Sequence, residues 1–255
     1  MSRNEDMKTL QQLYNGFYLN KGSANSKISG CSNSLRVAPI KKVCNYENIE
    51  IDYEHFAFAE KNENWDIEYF HGLKNFLWIE KIDYPAIYIF DNHNHAITFR
   101  YNILYTKKAW NAELIHIDQH SDCRENENHL KLNWKDNELE KVFIFWNEKC
   151  NVWNFIPPSI ESWIISSQTQ IRSTTTLKNL KINKNQNFIL DIDLDFCLDW
   201  INRDRLDLDV INLLKNKFDE IWKRALWITI ATSPYFLNQE LAENIIEKLL
   251  NFNVD

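Results

Sequence analysis

Asp118-Gln119-His120-Ser121-Asp122 and Asp191-Ile192-Asp193-Leu194-Asp195 place acids and an imidazole two residues apart, each directly behind a short apolar run. A third segment, Asp91-Asn92-His93-Asn94-His95, follows the run Ala86-Ile87-Tyr88-Ile89-Phe90 in the same way. Residues two apart in an extended chain project to one side. Each segment therefore offers a row of ligands: His93 and His95, then Asp118, His120 and Asp122, then Asp191, Asp193 and Asp195. Like charges gathered so closely repel strongly unless a cation neutralises them. The carboxylates of Asp118, Asp122, Asp191 and Asp193 with the imidazoles of His93 and His120 form a hard, oxygen-rich set, which favours Mn²⁺ over a structural zinc. Two ions ~3.5–4 Å apart could share carboxylates and a hydroxide, giving a nucleophile at neutral pH and a metal-assisted hydrolysis. A single Asp at a strand end is ordinarily a helix cap, but three such segments together exceed that explanation. A calcium loop would suit the second acidic row, yet the residues after it lack the turn glycine and terminal Glu of an EF-hand.

The elements that must carry these rows are readable from apolar periodicity. Leu114-Ile115-His116-Ile117 and Phe188-Ile189-Leu190 read as buried strands of a parallel sheet, so the acids lie at strand ends, where open α/β sheets bind ligands. Further strands are expected at 86–90, 162–165 and 226–230. Helices are expected over 97–108, 139–146, 210–222 and 238–251, with Pro157-Pro158 as a turn. This alternation predicts an α/β fold, a mostly parallel sheet flanked by helices, with the metal site at the C-terminal ends of strands. Residues 1–255 read as a single α/β domain. Its first 80 residues form a less regular appendage containing a loop at 21–27 and a strand-like piece at 35–37.

Net charge is −7 and no dense Lys/Arg run occurs, which argues against nucleic acid and anionic membranes as partners. No stretch reaches transmembrane length and the polar start MSRNEDMKTL lacks a signal-peptide core, so a cytoplasmic location is expected. Cys31, Cys44, Cys123, Cys150 and Cys197 are scattered, with no CxxC pair, and support neither a disulfide framework nor a cysteine zinc site. The glycines Gly16, Gly22, Gly30 and Gly72 allow no GxGxxG or P-loop. His55, His71 and His129 stand alone and read as surface or packing residues. His116 points opposite to Ile115 and Ile117, which suggests a supporting or core role rather than ligation. Trp146 and Trp153 read as core residues.

At the segments Asp91 to Ala96, Asp118 to Asp122, Asn154-Phe155-Ile156-Pro157-Pro158 and Leu190 to Phe196, the chain resembles the arginase/deacetylase superfamily, and within it the branch of peptide arginases. The resemblance spans residues 85 to 235. It implies the three-layer fold of that superfamily. His93, Asp118, His120, Asp122, Asp191 and Asp193 would be metal ligands, with Asp118 and Asp191 bridging two Mn²⁺ ions. It also implies a reaction, the hydrolysis of arginine side chains in a ribosomal precursor peptide to ornithine with release of urea, by attack of a metal-bridging hydroxide on the guanidinium carbon. His95, two positions beyond His93 and expected at the start of the next helix, is read from its place in the chain as a residue that transfers protons or supports the ligands rather than a ligand itself. Arginases carry glycines before the first histidine, where this chain has Asp91-Asn92, and a glutamate on a late strand that holds the guanidinium. The late strand here reads Trp227-Ile228-Thr229-Ile230-Ala231 and has no acid. Asp195, then Glu240, are the expected partners of the guanidinium. The alternatives are a deacetylase or amidohydrolase of the same fold, or a non-catalytic peptide-binding module with a structural metal.

Overall fold

In the strands that carry the acidic segments, apolar residues face both ways, and that double-sided pattern dictates layers on both sides of a sheet. The computed structural model describes residues 10–19, 34–44, 49–80, 84–109, 111–183, 185–199 and 205–251. The loop expected at 21–27 lies outside them. The central sheet has seven strands: β3 (Ile40–Val43), β6 (Phe76–Ile79), β7 (Ala86–Phe90), β11 (Trp227–Ala231), β10 (Phe188–Asp193), β8 (Glu113–Ile117) and β9 (Ser167–Ile171), in that spatial order. All neighbours are parallel except β6 and β7, which run antiparallel.

Tyr88, Phe90, Leu114, Ile189 and Trp227 pack on one side of this sheet against α1 (Ala96–Lys107) and α2 (Leu139–Lys149). Ile87, Ile89, Ile115, Ile117, Leu190, Ile192, Ile228 and Ile230 pack on the other. They meet α5 (Leu208–Ile221) and α6 (Gln239–Leu250) there, whose apolar faces recur at helical spacing. Two short helices, α3 (Ile156–Glu161) and α4 (Thr174–Asn179), complete the set used below. Asn238 caps α6 and Asp207 caps α5 by accepting from first-turn N–H groups. No helix among the described residues is long and apolar enough to cross a membrane.

Three details differ from the sequence reading. The strand expected at 162–165 lies instead at Ser167–Ile171, because Ser162 to Ser166 turn the chain after α3. Pro157 and Pro158 open that helix rather than a plain turn, occupying its first positions, where a missing N–H costs nothing. Residues 1–80 are more than an appendage, since β3 and β6 extend the central sheet. The other strands described in that region form the antiparallel pair β1 (Phe17–Leu19) with β2 (Leu35–Val37) and the long hairpin β4 (Ile51–Lys61) with β5 (Ile67–Leu73).

The departure at Asp91-Asn92 has a local reason. Asp91 Oδ1 accepts from the Leu73 N–H at 2.6 Å and the Asn92 side chain donates to the Ala57 carbonyl at 3.1 Å, so the pair stitches the β4–β5 hairpin onto the end of β7. Gly72 makes the close approach feasible, because a Cβ there would stand 2.5 Å from Ala57 Cβ and 2.6 Å from Asp91 Cγ.

Candidate metal centre

The ends of β7, β8, β10 and β11 meet around a buried group of acids and imidazoles. The His93 Nδ1 atom lies 3.3 Å from Asp118 Oδ2, 3.4 Å from Asp122 Oδ2 and 3.2 Å from Asp193 Oδ2. His116 Nε2 approaches the same Asp118 Oδ2 to 3.2 Å. His120 Nδ1 stands 2.8 Å from Asp195 Oδ2 and 3.4 Å from Asp118 Oδ1. The ligand atoms of His93, His116, Asp118 and Asp122 form one compact group, and those of Asp118, His120 and Asp195 a second that shares Asp118.

The local backbone explains how each side chain gets there. Asp118 follows the last residue of β8, and its N–H is held by the Ile171 carbonyl at 3.2 Å. Its Oδ1 accepts the His120 N–H at 2.5 Å, leaving Oδ2 for the centre. Asp122 does not reach the site by strand alternation, since the chain has left β8. It turns inward because its own φ is +51°, a left-handed conformation that Asp tolerates better than most residues. Asp193 closes β10 and its Oδ1 accepts the Asp195 N–H at 3.0 Å, which starts a 3₁₀ turn over Leu194–Cys197. That turn carries Asp195 toward His120. Ser233, also left-handed at φ +48°, donates to Asp193 Oδ2 at 2.5 Å.

Several expected roles change as a result. Asp191, expected as a bridging ligand, stands outside both groups. Its Oδ1 meets Arg100 at 2.5 Å and the Thr229 hydroxyl, and its Oδ2 meets His93 Nε2 and His116 Nδ1, each at 2.8 Å. The acidic row is therefore shifted by two residues, with Asp193 and Asp195 near the centre. Asp195, expected to hold a guanidinium, belongs to the group with Asp118 and His120. Glu240 is exposed at the start of α6, accepts from the Tyr53 hydroxyl at 3.0 Å, and lines a separate pocket with Tyr53, Tyr69 and Phe70. His95 is enclosed by Tyr14, Phe76 and Phe90, with Nδ1 3.2 Å from the Tyr14 hydroxyl. It sits on a 3₁₀ turn with His93, so the two rings do not share a side.

Sequence reasoning missed Arg100, Thr229 and Ser233 and gave His116 too small a place. The signal for His116 and Thr229 is their register beside Asp191, which only the strand order reveals.

Protonation follows from these neighbours. Burial pulls the imidazoles of His93, His116 and His120 down, but the adjoining carboxylates outweigh it. His116 rises to about 9 through Asp118 and Asp191, His120 to about 10 through Asp118 and Asp195, and His93 stands well above the usual range through Asp191, Asp118 and Asp122. Burial and the charge of Asp118 push Asp122 up to about 7, while burial, Asp193 and Asp118 hold Asp195 well above the usual carboxylate range. Burial alone takes His95 down to about 3.

The donor set itself fits a metal. His93 Nδ1, His116 Nε2, Asp118 Oδ2 and Asp195 Oδ1 are buried without a hydrogen-bond partner. Buried polar atoms that converge without well-formed hydrogen bonds are costly, and a cation that displaced the imidazole protons would join them. Atoms ~2.1 Å from a common ion stand ~3.0–3.4 Å apart, which matches the separations around Asp118 Oδ2 and His93 Nδ1. A narrow pocket adjoins the group, lined by Asp118, His120, Asp122 and Asp193 together with Phe58, Val152, Trp153, Tyr235 and Phe236. Of the centre's side chains His120 is the exposed one, at 29 %. No family model matches the sequence, and no curated protein matches it.

Proposed function

We propose that this chain is a Mn²⁺-dependent hydrolase of guanidinium groups that holds two ions and converts arginine side chains of a precursor peptide to ornithine with release of urea. The observation that carries the reading is the convergence of unpartnered imidazole nitrogens and carboxylate oxygens at parallel strand ends, beside an aromatic-lined pocket. Bound divalent ions supply a water-derived nucleophile at neutral pH.

The chain's own residues do the rest. His93, Asp118 and Asp122 would hold one ion and Asp118, His120 and Asp195 the other, with Asp118 common to both. The rings of Phe58, Trp153, Tyr235 and Phe236 line the pocket, and aromatic rings of this kind would attract a guanidinium cation. They take the place of the acid that arginases use, since Asp195 faces His120 and Glu240 is remote. Among the described residues, the charged side chains that line the pocket all belong to the centre. An arginine carried by a peptide would draw its positioning from contacts along the peptide backbone.

The test incubates manganese-loaded protein with arginine-containing peptides and follows mass. Loss of about 42 Da per arginine, the difference between arginine and ornithine, is expected, with free arginine turned over far more slowly. One tightly held zinc with release of acetate from acetyl-lysine peptides would replace this reading by the deacetylase one.

A further inference from the structure

Asp191, His116 and Thr229 are register neighbours on β10, β8 and β11, and all three point to the α1 side of the sheet. They form a polar row across an otherwise apolar face. Arg100 of α1, wholly buried, closes the row from above by pairing with Asp191 at 2.5 Å. Asp191 thus uses one oxygen for Arg100 and the Thr229 hydroxyl. The other oxygen lies 2.8 Å from His93 Nε2 and 2.8 Å from His116 Nδ1.

That second oxygen determines which nitrogens remain for the centre. Each imidazole donates one N–H to Asp191 and turns its remaining nitrogen toward Asp118 Oδ2, at 3.3 Å for His93 and 3.2 Å for His116. The rings lie nearly face to face, with centroids 5.0 Å apart and planes at 30°. A carboxylate behind a ligating imidazole sets its tautomer and raises its basicity. Here one carboxylate does so for two imidazoles.

We infer that His116 is a further metal ligand through Nε2, and that Asp191, clamped by Arg100 and Thr229, is the positioning residue for both His93 and His116. The inference rests on the metal reading above and adds an imidazole to it. A centre with two imidazoles on one ion accepts borderline ions such as Co²⁺ readily, which supplies a spectroscopic probe.

The experiment loads the full chain with Co²⁺ and records uptake, affinity and the paramagnetically shifted imidazole N–H resonances, none of which depends on turnover. H116A leaves Asp191 paired with Arg100, Thr229 and His93. It is expected to weaken Co²⁺ binding about 10–100-fold and to delete one shifted, solvent-protected N–H resonance. T229V, nearly isosteric, is expected to move the resonances of both His93 and His116 while leaving ion uptake unchanged. Wild-type affinity and an intact set of resonances in H116A would overturn the role of His116, and unmoved resonances in T229V would overturn that of Asp191. Wild-type protein that takes up no Co²⁺ would overturn the metal reading together with the inference, whereas wild-type protein that takes up Co²⁺ beside an H116A variant of equal affinity overturns the inference alone.

Discussion

Raising the pH from 7 to 8 should tighten Mn²⁺ binding by about 100-fold or more. An imidazole binds a metal only through a bare nitrogen, so every proton held on a ligand must leave when the ion enters. His116, at about 9, and His120, at about 10, both carry protons across that interval, and His93 stands well above its usual value. A group whose pKa exceeds the working pH contributes about one tenfold factor in affinity per pH unit. His116 and His120 alone give two such factors, and His93 adds to them. Asp122, at about 7, has largely lost its proton by pH 8 and contributes little above that. The sign is fixed by competition: the proton-bound form dominates at low pH, so affinity falls as pH falls. Titration calorimetry in two buffers of different ionisation heat counts the protons directly, and at least two should be released at pH 7.5. An affinity constant within threefold between pH 7 and 8, with less than one proton released, would refute the assignment of these imidazoles.

Other expectations follow from the surroundings of the centre. D191N leaves the buried Arg100 without its counter-charge, so urea unfolding in the presence of a chelator should show a loss of about 3–5 kcal/mol; an unchanged midpoint would mean the pair is not formed. His95→Phe should leave metal content and turnover near wild type, because the ring packs against Tyr14, Phe76 and Phe90. His95 is held neutral in the fold down to about pH 3, while in the unfolded chain it takes a proton below about 6.5. The wild type should therefore lose roughly 2 kcal/mol relative to His95→Phe between pH 7 and 5, a divergence that parallel chemical melts at the two pH values would reveal or exclude. Gly72→Ala would push a methyl group into Ala57 and Asp91. A loss of roughly 1–3 kcal/mol with detachment of the β4–β5 hairpin should appear as faster amide exchange at Leu73.

Periodicity was a sufficient guide wherever one element could be read alone. The strands at Ala86–Phe90 and Trp227–Ala231 and the helices at Leu208–Ile221 and Gln239–Leu250 lie within two residues of expectation, since each shows its apolar pattern without help from a neighbour. The site was legible as a place but not as an atom list. The run Asp191-Ile192-Asp193-Leu194-Asp195 admits two ligand registers, and what separates them is where β10 ends, a matter of how far its partners β8 and β11 extend. Asp122 enters through a positive φ rather than through strand alternation, and no local residue pattern announces that. Arg100 lies in a helix buried over most of its length, so its charge reads as surface until Asp191 is found beneath it. The strand placed at 162–165 instead of Ser167–Ile171 shows the opposite error, an apolar pair taken for a strand while a polar edge strand passed unnoticed.

The enclosure of the centre bears on time as well as on affinity. Asp118, Asp122, Asp193 and Asp195 each expose 5 % or less of their side chains, and the route outward passes His120, whose ring lies 4.5 Å from that of Phe236 and 5.3 Å from that of Trp153. Parting of those rings would widen the way out for an ion held below. Its dwell time then reflects how often the rings move aside rather than the strength of the individual bonds, and a chelator in excess should strip the protein at a rate independent of chelator concentration. Phe236→Ala should speed that stripping without an equal loss of affinity, so that the same doorway governs both how slowly the protein is loaded and how long it stays loaded.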